Sequence, residues 1–99
     1  MYFYRVGLKN MYVSDCGNVM MSYNKIIVIK KDGHVYINRD YYNYSKTTSQ
    51  HRNQFLNVTN KEFYRNAEKG HYIFLPDNVI MEMYYNMIKD ELEGIKWNI

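Results

Sequence analysis

Few side chains in this chain have the types and spacing that chemistry requires. One cysteine, Cys16, and three histidines, His34, His51 and His71, are the only candidates for a thiol and imidazole pair, since a cysteine nucleophile needs a nearby base or cation to hold it as thiolate. Cys16 lies in Asp15-Cys16-Gly17-Asn18, a dense turn signal. The histidines share no spacing such as the i, i+4 pair of a helical zinc site. Arg65 and His71 are six apart, but Gly70 stands between them as a helix stop. No ordered glycines form a phosphate loop, and no two carboxylates are placed as an acid and base pair. The expectation is a protein that is not an enzyme, with no catalytic residue, no cofactor and no metal.

The informative run is Arg39-Asp40-Tyr41-Tyr42-Asn43-Tyr44-Ser45-Lys46-Thr47-Thr48-Ser49-Gln50-His51-Arg52-Asn53-Gln54-Phe55-Leu56. It sets tyrosines and cations against a cluster of hydroxyl residues at a helix start. A helix N-terminus favours phosphate, Arg, Asn and Gln read base edges, and tyrosines beside cations stack on unpaired bases or anchor protein interfaces. The candidate partner-binding residues are Arg39, Tyr41, Tyr42, Tyr44, Lys46, Ser49, His51, Arg52 and Asn53, with the tyrosines and Arg52 as energetic anchors. The competing structural reading uses the Ser and Thr residues as caps, Phe55 and Leu56 as packing, and one or two of the tyrosines as core.

The elements that would position this run follow from periodicity. Tyr2, Tyr4, Val6 and Leu8 alternate with Phe3, Arg5 and Gly7 as in a half-buried strand, and Lys9-Asn10 turns into a second strand, Met11 to Ser14. Lys25-Ile26-Ile27-Val28-Ile29-Lys30 is β-branched on both faces and so is the most buried strand. Lys31-Asp32-Gly33 turns it into His34 to Asn38. Thr47 and Gln50 have capping-box spacing for a helix reaching about Asn57. Thr59 and Glu62 repeat that spacing for a second helix stopped at Gly70. His71 to Leu75 returns to the sheet, and Pro76 ends that strand. From Asp77 a long helix carries Val79, Ile80, Met83, Tyr84, Met87, Ile88 and Leu92 on one face. Gly94 suits its C-terminal stop, and Ile95, Trp97 and Ile99 form a short packed tail.

The fold class expected is α+β, with an antiparallel sheet of four to five strands, two short helices and a long C-terminal amphipathic helix packed on it. At 99 residues the chain fits one domain, 1–99. Tyr and Asn each occur 12 times, a bias that an AT-rich genome produces by itself, so tyrosine count alone carries no function. One cysteine and the lack of an apolar leader or membrane-length run point to a cytoplasmic protein that makes no membrane contact. The net charge of +3 is divided, with residues 1–75 carrying eleven Lys/Arg against five Asp/Glu, or +6, and residues 76–99 two against five, or −3. Asp90, Glu91 and Glu93 fill the last helical turn, where the macrodipole disfavours anions. Pairing within the chain would compensate them. A secondary acidic surface for a basic partner is the other reading.

The string Tyr-Tyr-Asn-Tyr-Ser-Lys-Thr-Thr-Ser-Gln-His-Arg-Asn-Gln-Phe-Leu at 41–56, preceded by Lys-Asp-Gly-His-Val-Tyr-Ile-Asn at 31–38, resembles a family of small phage proteins of unknown function. In that family a hairpin leads into a Tyr-Ser-x-Thr-Thr-Ser-x-x-x-x-x-Phe segment. The resemblance covers roughly residues 20–57. It implies phage origin, action in the cytoplasm of the infected bacterial host, and a role in binding and disabling a host machine. The function expected is therefore a non-enzymatic, anti-CRISPR-like inhibitor. It would occlude a host defence protein or ribonucleoprotein such as a CRISPR effector. The alternative is a small nucleic-acid-binding phage regulator using the basic 39–56 segment.

Overall fold

A computed structural model describes residues 1–7 and 9–93. Leu8, at the end of the expected first strand, and Gly94, Ile95, Trp97 and Ile99 of the expected tail lie outside the described residues. The elements run β1 (Phe3–Arg5), β2 (Met11–Ser14), β3 (Val19–Ser22), β4 (Lys25–Lys31), β5 (His34–Asn38), α1 (Lys46–Leu56), α2 (Asn60–Glu68), β6 (Tyr72–Leu75) and α3 (Asp77–Glu93). The fold is α+β, a mostly antiparallel sheet with two shorter helices and a long C-terminal helix, as the periodicity implies. Two details differ from expectation. The sheet has six strands in the order β1-β2-β3-β4-β5-β6, and its last pair, β5 and β6, is parallel. A parallel neighbour needs a crossover, and α1 with α2 supplies it.

The unexpected strand is β3. Val19 and Met20 are both buried, on opposite faces of the sheet, so the period-two pattern that marks a half-exposed strand is missing. Met20 opposes Val28 and Met21 opposes Ile26, which leaves Ile27 as an extra residue on β4. That bulge lets consecutive residues Ile27 and Val28 join the same cluster. One cluster, with Met11, Met20, Ile37 and Phe63, packs against Phe55, Leu56 and Val58. The other, Val19, Ile26, Ile29 and Ile80, packs against Met83, Tyr84 and Met87 of α3. Helices therefore cover both faces of the sheet: α1 and α2 on one, α3 on the other. In β1 the expected alternation does not hold: Phe3 alone turns inward, against Tyr84 at 6.0 Å, while Tyr4 and Arg5 are both exposed, as is Tyr2 just before the strand.

Caps fix where the helices begin. The N-cap of α1 is Ser45, not Thr47: its backbone is extended and its Oγ accepts from Thr48 N–H at 3.1 Å. The Thr59–Glu62 box of α2 forms in both directions, at 3.0 and 3.1 Å, and these bonds hold the Glu62 carboxyl below its ordinary pKa. Gly70, at φ +76°, follows the helix as expected. Fully buried Asn38 joins three parts of the fold. Its Nδ2 donates to Ile26 C=O and Asp77 Oδ1, both at 2.8 Å, and its Oδ1 accepts from Asp40 N–H at 3.0 Å.

Candidate functional site

The inward face of α1 is polar. Thr48, His51 and Arg52 are its buried residues, at i, i+3 and i+4. Arg52 has no solvent exposure, and its guanidinium lies over Phe63 with Cζ 3.6 Å from the ring centroid. Nη1 donates to Tyr42 C=O at 2.9 Å, Nη2 to Asn60 Oδ1 at 2.8 Å and to Asn53 Oδ1 at 2.9 Å, and Nε to Asn53 Oδ1 at 3.1 Å. No carboxylate of the described residues pairs with it. Neutral oxygens and aromatic faces hold the charge instead. Burial presses its pKa downward, and Tyr64 opposes that shift.

His51 is likewise fully buried. Its Nδ1 is 2.8 Å from Ser22 Oγ, which is 3.1 Å from Thr48 Oγ1, and Ser45 Oγ donates to the latter at 3.2 Å. A serine at that distance from an imidazole has nucleophile and base spacing. Here Ser22 is buried and its hydroxyl is shared between Thr48 and His51, while Nε2 has no hydrogen-bond partner among the described residues to orient it. The chain of polar atoms joins α1 to β3. Burial lowers the His51 pKa, partly opposed by the Lys9 backbone. The sign follows directly: the folded protein takes up this proton only at lower pH than the unfolded chain, whose histidine titrates near about pH 6.5, so stability falls as the pH drops through that range. Melting temperatures of wild type and His51→Gln measured from pH 7 to pH 5.5 will show the decline flattened in the variant. An equally steep decline in both would refute this account.

The structure divides the nine expected contact residues. His51 and Arg52 turn inward and are unavailable to a partner. Tyr42 is largely structural, stacked on Phe63 at 6.0 Å and edge-on to Phe74 at 5.2 Å. Lys46, Ser49 and Asn53 line a shallow groove of about 360 Å³ with Gln50, Asn60 and Tyr64. Arg39 is exposed and borders neither this groove nor a second, separate pocket. Tyr41 and Tyr44 come together, rings 5.9 Å apart, in that pocket of about 280 Å³, whose other lining residues are Ser22, Tyr23, Asn24, Lys25, Ile27 and Thr48. Tyr44 is 74% exposed. Lys25 Nζ sits 4.8 Å above the Tyr41 ring.

Sequence reasoning missed Tyr23, Asn24 and Lys25, which form the β3–β4 turn and its exit. Ser22 pairs with Lys25, so Tyr23-Asn24 is a two-residue hairpin loop, and Tyr23 takes φ +56°. A left-handed backbone costs a side-chain-bearing residue roughly 1–2 kcal/mol, and such positions normally carry Gly, Asn or Asp. No Gly, Asn or Asp stands at position 23 to announce the turn, so the sequence carried no signal for it.

The acidic end of α3 is partly paired within the chain. Glu91 Oε2 is 3.0 Å from the Met1 amino nitrogen, and Glu93 Oε1 is 3.9 Å from Lys89 Nζ. The Glu91 hydrogen bond raises the pKa of that amino group. Asp90 has no cationic partner within 4.0 Å among the described residues. Among those residues none of the eleven Lys/Arg of positions 1–75 forms an ion pair, and no group of three His, Cys, Asp or Glu could hold a metal.

Residues 4–73 match the model of a family described as a family of unknown function (DUF8033). The chain belongs to that family. The matched span takes in β1 to β5, both short helices and the start of β6, and with them the pocket, the groove and the Arg52 cluster. No curated protein and no solved structure matches the chain.

Proposed function

We propose that this member of the family is a binding protein without catalytic activity. It acts by occupying the working surface of a macromolecular partner, and the face around Tyr23, Tyr41 and Tyr44 is its contact. One observation carries the reading: exposed Tyr44 and its neighbours Tyr23 and Tyr41 form a tyrosine-walled pocket beside Lys25, and none of the Lys and Arg side chains of positions 1–75 has a carboxylate partner among the described residues. Tyrosines in such settings supply large, rigid contact area, and unpaired cations steer an acidic or phosphate-bearing partner onto them. A ribonucleoprotein offers both kinds of surface. Combined with the resemblance of the 31–56 segment to small phage proteins, the specific form proposed is a phage inhibitor that occludes a host defence ribonucleoprotein.

The test is capture of the partner from nuclease-treated host extract on immobilised protein, followed by affinity measurement with the purified partner. Replacing Tyr41 and Tyr44 together by alanine will weaken binding at least tenfold, since a single anchor is worth about 2 kcal/mol or more. Unchanged affinity in a folded double variant would refute the assignment of this face.

A further inference from the structure

We propose that the pocket between the β3–β4 turn and the β5–α1 segment takes one unpaired nucleotide of a single-stranded RNA or DNA. The proposal rests on the contact face assigned above and names what that face holds. Aromatic rings from two separate chain segments wall the space, Tyr23 from the turn and Tyr41 with Tyr44 from the run before α1, and Ile27 adds an apolar side chain. Its volume of about 280 Å³ is at the small end for ligand pockets, suited to one planar group with its sugar and not to a stack of them.

Charge decides between the ligands that aromatic walls would suit. Three tyrosines alone would also suit a quaternary ammonium or a guanidinium. Lys25 is the one charged residue in the lining, and its ammonium already lies over the Tyr41 ring. A second cation would meet direct repulsion there, whereas a phosphate attached to a stacked base would be attracted. Hydrogen-bonding capacity points the same way. The Ser22 and Thr48 hydroxyls are engaged with each other and with His51 and Ser45. The Asn24 amide makes no hydrogen bond within the described residues and offers both a donor and an acceptor to a base edge.

The left-handed backbone of Tyr23 supports the assignment independently. Asparagine would fit that turn with less strain, so a tyrosine held there at 48% exposure gives up conformational ease for an aromatic face on the pocket. An aromatic or apolar protein side chain entering the pocket would use the rings but leave Lys25 without a counter-charge, and a carboxylate side chain would supply the charge but not a planar ring for the tyrosines.

The decisive experiment measures fluorescence anisotropy of labelled oligo-U and oligo-dT of about ten nucleotides, and of an abasic strand of equal length, with the isolated full chain at low salt. The expected result is binding of at least one base-bearing strand and much weaker binding of the abasic strand. Tyr44→Ala and Tyr23→Asn will each weaken binding of that strand roughly tenfold, with the melting temperature of Tyr23→Asn unchanged or raised. Lys25→Gln will reduce the dependence of log affinity on log salt by about one. Equal binding of the abasic strand, absence of binding to all three, or wild-type affinity in both folded tyrosine variants would overturn the proposal. Because defined strands replace the captured partner, the two failures are distinguishable: absence of strand binding leaves the proposed occlusion of a partner standing.

Discussion

Arg52→Ala will lower the unfolding free energy by about 3 kcal/mol, read by urea denaturation monitored through circular dichroism. The substitution leaves the Tyr42 carbonyl and the Asn53 and Asn60 amide oxygens without the donor they share, and opens a space above Phe63. For a domain whose whole stability is of order 5–15 kcal/mol, that loss brings part of the population to unfolding at ordinary temperature. Arg52→Lys recovers little, because the three donors of an ammonium share one nitrogen and cannot span oxygens that three guanidinium nitrogens reach, nor present a planar face to a ring. An exposed contact arginine behaves otherwise, with substitutions within about 0.5 kcal/mol of wild type. A result in that range for Arg52→Ala would show that the guanidinium is not buried as described.

Phe63→Ala will cost a comparable amount, about 3–5 kcal/mol. Phe63 is fully buried and joins Tyr72 at 5.0 Å, Tyr64 at 5.3 Å, Tyr42 at 6.0 Å and Phe74 at 6.3 Å. Its ring is also the surface on which the Arg52 charge rests, so the two substitutions are coupled. The double variant Arg52→Ala with Phe63→Ala will lose less than the sum of the single losses, by about 0.5–3 kcal/mol. Strict additivity would argue that the stack contributes nothing beyond packing. Phe63→Leu separates volume from aromaticity: it keeps most of the apolar bulk and removes the π face.

The contrast between what the residues foretold and what α1 does has a physical source. The hairpin of β4 and β5 is plain in the sequence because a β-branched run followed by Asp-Gly admits few alternatives, and the α2 cap is plain because Thr59 and Glu62 act locally. The α1 stripe Thr48, His51, Arg52, Phe55 also has helical spacing, but three of its four members are polar, so hydrophobic periodicity assigns them to solvent. Nothing local reveals that Phe63, eleven positions on, supplies the ring under Arg52. Of the expected contacts, Tyr41 and Tyr44 reached one pocket and Lys46, Ser49 and Asn53 one groove. The pocket's other wall came from Tyr23, whose left-handed turn exists only because β3 pairs with β4, and β3 is a strand that the period-two pattern does not mark.

The linear strand order has a bearing on solubility. An open sheet leaves a row of backbone donors and acceptors at each end, which is the usual template for edge-to-edge polymerisation. Here β1 has three residues and β6 four. Exposed Arg5 lies on the first, and exposed Lys69 and the half-buried, donor-less Pro76 flank the second. An incoming strand could gain only a few ladder bonds at either edge before meeting charge or an imide nitrogen. The six-stranded sheet thus ends, on both sides, in strands too short to grow.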